Sequence, residues 1–196
     1  MKTLNVVAAI IHKDDKILAT KRGYGEFINQ WEFPGGKIEE GESKEEALKR
    51  EIKEELNIEI DIKNFALDIE YQYPTFYLKM SCFDCTIKSG TPELIEHNDA
   101  KWLTKHDLDS VNWIPADLDA VSYLKETMFE SEIMEKMKRI DEEMQKCNYD
   151  LDKLKELYDK TEDKFERQMI YAEIRSIEIS NITNTFINTG IYIYRK

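Results

Sequence analysis

The stretch WEFPGGKIEEGESKEEALKREIKEELNI, Trp31 to Ile58, follows a glycine pair with eight glutamates between Glu39 and Glu55. Ser43 and Glu46 have the spacing of a capping box, which predicts a helix from about Lys44. Within it Leu48, Ile52 and Leu56 recur every four residues and make one apolar face for a core. Asn57 suits the left-handed position that commonly ends a helix. Glu51, Glu54 and Glu55 then stand at i, i+3 and i+4 and share a face beside the apolar stripe. Carboxylates this close repel one another. Two readings follow: a solvated acidic surface, or oxygen ligands around a hard cation such as Mg²⁺ or Mn²⁺. Gly35, Gly36 and Gly41 tilt the balance toward the cation, since glycine lets backbone approach a ligand closely.

Outside this stretch the composition sets limits. The 196 residues allow one domain with a sizeable core and a small appendage. A net charge of −12 argues against binding duplex nucleic acid, which needs a basic footprint. No apolar run reaches the ~18 residues of a membrane span. The opening MKTLNVVAAIIHKDDK reads as a strand rather than a signal peptide, so a cytoplasmic protein is expected. Cys82, Cys85 and Cys147 form no disulfide framework. Cys82 and Cys85 fall in a strand-like run, where positions three apart point to opposite faces, so they read as buried free thiols rather than a zinc or redox pair.

Residues 4–11 and 16–21 predict a hairpin with Lys13, Asp14 and Asp15 near its turn. After the acidic helix, strands are expected around 58–62, 66–71, 75–87 and 100–103. A short helix near Lys105–Asp109 and another from about Asp117 complete a mixed unit of residues 1–127. A helical extension is expected over 128–196. There Ile133, Met137, Ile140 and Met144 form one apolar helical stripe, and CNYD breaks the chain before a second helix capped by Asp150. Leu151, Leu154, Tyr158, Phe165, Met169 and Ala172 continue the stripe, which predicts a helical hairpin. Such helices need a surface to bury against, either the core or a second copy of the chain, which makes a homodimer a candidate assembly. The ending INTGIYIYRK alternates apolar and polar residues as a short strand would.

Residues 36–58 resemble the Nudix box, G-x5-E-x7-R-E-U-x-E-E-x-G-U with U aliphatic: Gly36, Glu42, Arg50, Glu51, Ile52, Glu54, Glu55 and Ile58 fall in register. The second glycine of the pattern is Asn57 here, a residue that tolerates the left-handed cap. Over residues 3–125 the chain is similar to the MutT-type branch, through VVAAII, NQWEFPGGKIEEGE and the segment PAD at 115–117. The resemblance implies an α/β fold, an α-β-α sandwich with a mixed sheet. It also implies hydrolysis of a nucleoside triphosphate to the monophosphate and pyrophosphate with Mg²⁺ or Mn²⁺. Position by position, Glu51, Glu54, Glu55, the Gly35 carbonyl and Glu96 match metal ligands. Glu51 and Glu54 match candidates for the catalytic machinery, with Arg50 and Glu42 beside them. Arg22, Phe33, Lys37 and Asp117 match residues around the nucleotide.

Asp117 bears on the base. Ionised, it only accepts hydrogen bonds; protonated, it also donates. That leaves oxidised guanine nucleotides such as 8-oxo-dGTP and cytosine nucleotides, CTP, dCTP or 5-methyl-dCTP, as candidate substrates. Asp117 also reads as an N-cap of the following helix. His97 reads as solvent-exposed and His12 as a strand-end residue. A rival of another class is a Nudix-like sensor that binds nucleotide without turnover; the full set of Glu51, Glu54 and Glu55 argues against it.

Overall fold

The structure, a computed structural model, describes residues 2–189. Its centre is strand β1, Lys2–Lys13, which pairs in parallel with β6, Phe76–Ser89, over the whole length from Lys2 to His12. The sheet runs in the order β3, β2, β1, β6, β5, where β2 is Lys16–Arg22, β3 Trp31–Glu32 and β5 Glu59–Gln72. Two further strands, β4 at Gly35–Lys37 and β7 at His97–Thr104, pair antiparallel with β1 and β2. One parallel pairing among antiparallel ones makes the sheet mixed.

Successive side chains of β1 serve opposite faces, as a strand's pleat requires. Val7, Ala9 and Ile11 pack with Ala47, Leu48, Ile52 and Leu56 of helix α1, Lys44–Leu56. Ala8 and Ile10 pack on the other face with Ala120, Val121 and Leu124 at the start of helix α2, Leu118–Lys146. Because both faces are covered, the strand is apolar without alternation. This is an α-β-α sandwich. Cys82 and Cys85 are buried in opposite layers, as the strand spacing required.

Helix α1 begins and ends as the sequence predicts. Ser43 Oγ accepts from the Glu46 N–H at 3.2 Å while the Ser43 N–H donates to the Glu46 carboxylate at 2.9 Å. Asn57 closes the helix in the left-handed region with φ +52°. Elsewhere the boundaries differ. The segments expected at 58–62 and 66–71 are one strand, because register shifts at Ile62/Asn64 and Phe65/Leu67 absorb Lys63 and Ala66 as bulges while Asn64 pairs with Asp84.

Contacts divide the chain into two compact units, Met1–Met128 and Phe129–Lys196. Helix α2 runs unbroken through the division. The second unit is not a two-helix hairpin. The helix expected from Leu151 through Ala172 is two helices, α3 at Leu151–Lys160 and α4 at Lys164–Thr189. Asp163 makes the break, its Oδ1 accepting from the Phe165 and Glu166 N–H groups at the new N-terminus. An apolar stripe cannot report a capping segment of three residues, because the period resumes beyond it. Ile140, Met144, Leu154, Ile170 and Ile174 form this unit's core, while Met137 and Ala172 lie outside it, exposed. Ile187–Thr189 belong to α4, against the expected strand; residues 190–196 lie outside the described ones. Among the described residues no helix is long and apolar enough to cross a membrane.

Candidate active site

The Arg50 guanidinium organises the exposed side of α1. Its Nε and Nη2 donate to the two Glu42 oxygens at 2.7 and 2.9 Å. Nη1 donates to Glu51 at 2.8 Å and to Glu54 at 3.2 Å, and Nη2 also reaches the Lys37 carbonyl at 3.0 Å. Paired forks of this kind combine charge with a fixed plane. The Arg50 hydrogen bonds, with a further one from the Glu39 N–H, hold the Glu42 carboxyl at a pKa of about 2.

The glycines fit against the same carboxylates. A Cβ on Gly36 would come within 2.4 Å of the Glu51 carboxyl carbon, so any side chain there would displace Glu51. At Gly35, with φ +152°, a Cβ would strike the Val7 carbonyl at 2.1 Å. Glycine is required at both points because backbone and carboxylate share the space.

Glu54 and Glu55 are neighbours in sequence with opposite surroundings. Glu54 is 57% exposed along its side chain. Glu55 is 8% exposed, and its Oε2 accepts from the Gly35 N–H at 3.0 Å. Burial first, then the charge of Glu32, pushes the Glu55 carboxyl up to about 8. Glu96, the remaining candidate ligand, accepts from the Tyr24 hydroxyl at 2.8 Å, which pushes that phenol up to about 12. Among the described residues no three acidic, His or Cys side chains close on one point. Arg50, the Gly35 N–H and Tyr24 hold the candidates apart. The donor set nonetheless fits a hard divalent cation. It is all oxygen, it lies where Gly36 keeps backbone beside Glu51, and it includes Glu55, a carboxyl that burial first and the Glu32 charge second have left ready to lose its proton to a cation.

A cavity of about 430 Å³ opens beside this face. Eight of the predicted residues line it: Arg22, Phe33, Gly35, Lys37, Glu51, Glu55, Glu96 and Asp117. Glu42, Arg50 and Glu54 flank it without lining it. Phe27, Tyr73 and Phe76 supply aromatic wall, with ring centroids 4.7 to 5.1 Å apart. Phe33 is buried and stacks on Trp113 at 4.7 Å.

Asp117 is only 4% exposed. It closes a short 3₁₀ turn, Pro115–Asp117, and its carboxyl accepts from the Phe33 N–H, a partner on the pocket wall. Burial, reinforced by the charge of Glu32, raises its pKa well above the ordinary carboxylate range.

His97 differs from expectation. It is 9% exposed, paired with Arg22 across β7 and β2, and its Nε2 lies 3.3 Å from Glu32 Oε1. Glu32 also accepts from Arg22 Nη1 at 2.6 Å. Glu32, Tyr24, Tyr73, Phe27 and Phe76 are among the pocket residues to which the sequence reading gave no role, and His97 is one that it placed in solvent. Glu32 stood inside the decisive motif, but nothing in its spacing marks a side chain that turns into a pocket.

Residues 1–126 match the family model described as the NUDIX domain. The chain belongs to the Nudix family. Among curated relatives it is 33% identical over 119 residues to the CTP pyrophosphohydrolase of Escherichia coli K12, covering 60% of this chain and 88% of that protein. It is 32% identical over 125 residues to the 8-oxo-dGTP diphosphatase of Haemophilus influenzae, covering 63% and 92%. Among solved structures, the DNA mismatch repair protein MutT of methicillin-resistant Staphylococcus aureus 252 superimposes with a TM-score of 0.54 at 37% identity, over 65% of this chain and 99% of that one. These matches lie on the Nudix unit, and this Nudix chain carries its helical unit beyond them.

Proposed function

We propose that the protein is a cytoplasmic pyrophosphohydrolase that cuts a nucleoside triphosphate to the monophosphate and pyrophosphate, with oxidised guanine nucleotides such as 8-oxo-dGTP as substrates. The observation that carries this is one pocket holding Glu51, Glu55 and the Gly35–Gly36 loop together with aromatic walls and a buried Asp117. A triphosphate fits the acidic side only through a cation, and a base fits the aromatic side.

Glu51, Glu54, Glu55, Glu96 and the Gly35 carbonyl are the residues that would hold Mg²⁺ or Mn²⁺. The ion would neutralise phosphate charge and make a bound water more acidic. Glu51 or Glu54 accepts the proton of the attacking water. Arg50, anchored to Glu42, fixes the plane of Glu51 and keeps it beside the glycine loop. Lys37 and Arg22 offer cations to the phosphates or base. Phe33 supports the base wall, and Asp117, whose raised pKa favours the proton-bearing form, pairs in that form with a base edge bearing one acceptor and one donor, as guanine O6 and N1–H do. The catalytic unit spans residues 1–127, and the extension from 128 onward is a pairing surface for a second copy.

A second reading, cytosine nucleotides, is favoured by the relative named CTP pyrophosphohydrolase; N3 and the amino group of cytosine offer Asp117 the same alternation. Pyrophosphate release with Mg²⁺ on 8-oxo-dGTP, dGTP, dCTP, CTP and 5-methyl-dCTP separates the two. Preference for 8-oxo-dGTP is expected. Preference for a cytosine nucleotide moves the protein to the second reading, and binding without release on the whole panel makes it a sensor.

A further inference from the structure

Away from the α1 carboxylates, five pocket side chains form a closed circuit across three strands. Arg22 ends β2, Glu32 ends β3 and His97 begins β7, while Tyr24 and Glu96 lie in the flanking loops. Glu32 accepts from Arg22 and faces His97 Nε2. The Arg22 guanidinium lies 5.4 Å from the centroid of the Tyr24 ring, and Tyr24 donates to Glu96, the chain neighbour of His97. The register of β2 against β7 slips between Lys21 and Arg22, where β7 carries one extra residue, Asn98, ahead of the Arg22–His97 pair.

Two members of the circuit are incomplete. Arg22 Nε and His97 Nδ1 are buried and have no hydrogen-bond partner. Buried polar atoms are normally satisfied, and leaving one unpaired is costly. With His97 Nε2–H turned to Glu32, its Nδ1 is an acceptor, whereas Arg22 Nε is a donor. Both side chains line the cavity, and both are held by the same carboxylate.

We propose that Glu32 is a positioning residue for substrate selection: it holds Arg22 and His97 so that their two unpaired nitrogens meet polar atoms of the bound nucleotide. The inference rests on the nucleotide-hydrolase reading above. Glu32 acts on binding through Arg22, and the α1 carboxylates act on the chemistry. Its own backbone carbonyl accepts from Thr20 Oγ1 at 3.2 Å, which keeps β3 in place whatever its side chain does.

The experiment is a double-mutant cycle on the full chain, Glu32→Gln, Arg22→Lys and both together, with KM and kcat measured on the best nucleotide of the panel. Glutamine preserves the shape of Glu32 and removes its charge. Each single change is expected to raise KM roughly tenfold, the scale of one hydrogen bond to a charged group, with kcat within about threefold of the parent. The double variant should also show about a tenfold rise, because the second change removes an interaction already lost. A roughly hundredfold, additive rise overturns the inference, as does an unchanged KM in Glu32→Gln. Equal losses of kcat at unchanged KM overturn it too, since they would put Glu32 in the chemistry. A parent chain that hydrolyses no nucleotide of the panel instead overturns the functional reading on which the cycle depends.

Discussion

The two sides of the pocket reach their carboxyl chemistry by different routes. On the α1 side, Glu42, Glu51 and Glu54 gather around one arginine, all within a single stretch of 13 residues from Glu42 to Glu54. On the opposite side Glu32, His97 and Asp117 come from three separate segments and meet only when β2, β3 and β7 pair and the 3₁₀ turn packs beneath them. The first group is held by charge pairing at the surface and the second by burial. Charge pairing lowers a carboxyl pKa, as at Glu42; burial raises one, as at Asp117 and Glu55. One fold thus shifts the carboxyls around its pocket in opposite directions, downward where an arginine pairs with them and upward where burial takes their water away.

The contrast is most exposed to failure at Glu54. Glu54→Gln should lower kcat on the best nucleotide by about a hundredfold or more, the range of a lost general base or metal ligand, with little change in melting temperature because the side chain is exposed. A loss under about fivefold would remove Glu54 from the chemistry. Arg50→Ala comes next. It frees Glu42 and Glu51 together, and kcat should fall roughly tenfold to a hundredfold; unchanged kcat would mean that the fork around Glu42 only shapes the loop.

Asp117→Asn sharpens the other side. Discrimination between 8-oxo-dGTP and dCTP should shift by about tenfold, the value of one base-edge hydrogen bond to a buried partner. The same variant carries a pH signature. The folded state keeps the Asp117 proton above the pH at which the unfolded chain releases it, so the native protein binds more protons and loses stability as pH rises from about 4 toward the raised pKa. Melting temperature measured against pH should therefore fall less steeply in Asp117→Asn than in the parent; identical slopes would show that Asp117 is ionised in the fold.

Smallest in effect is removal of the helical unit. A chain ending at Thr127 should keep pyrophosphate release within about threefold, since every pocket residue precedes it. Light scattering on both lengths tests pairing: a dimer for the full chain and a monomer for the short one are expected, and two monomers would end the role of the extension in self-association.

The local features of α1 were legible from the chain alone. A capping box, a four-residue apolar repeat, an asparagine cap and an i, i+3, i+4 set of glutamates are all relations between residues close in sequence, and each stands in the structure at its predicted place. The resemblance to the MutT-type branch, rather than spacing, pointed to eight of the residues that line the pocket. Local spacing failed where the deciding partner is distant. His97 was expected in solvent because it follows Glu96 in what read as a loop, whereas it begins β7 and lies beside Glu32 and Arg22 of other strands. The second long helix was expected whole because Asp163 breaks it without disturbing the apolar period.

Sequence by itself therefore determined the acidic helix, its glycine loop and the family, because those signals are short-range and periodic. Only the tertiary structure decided that adjacent Glu54 and Glu55 would differ so widely in exposure, that burial would raise the Asp117 pKa, and that Glu32 would join Arg22 to His97. The physical reason is desolvation. How much water a carboxyl retains is set by atoms far away in the chain, and no spacing within the motif records them.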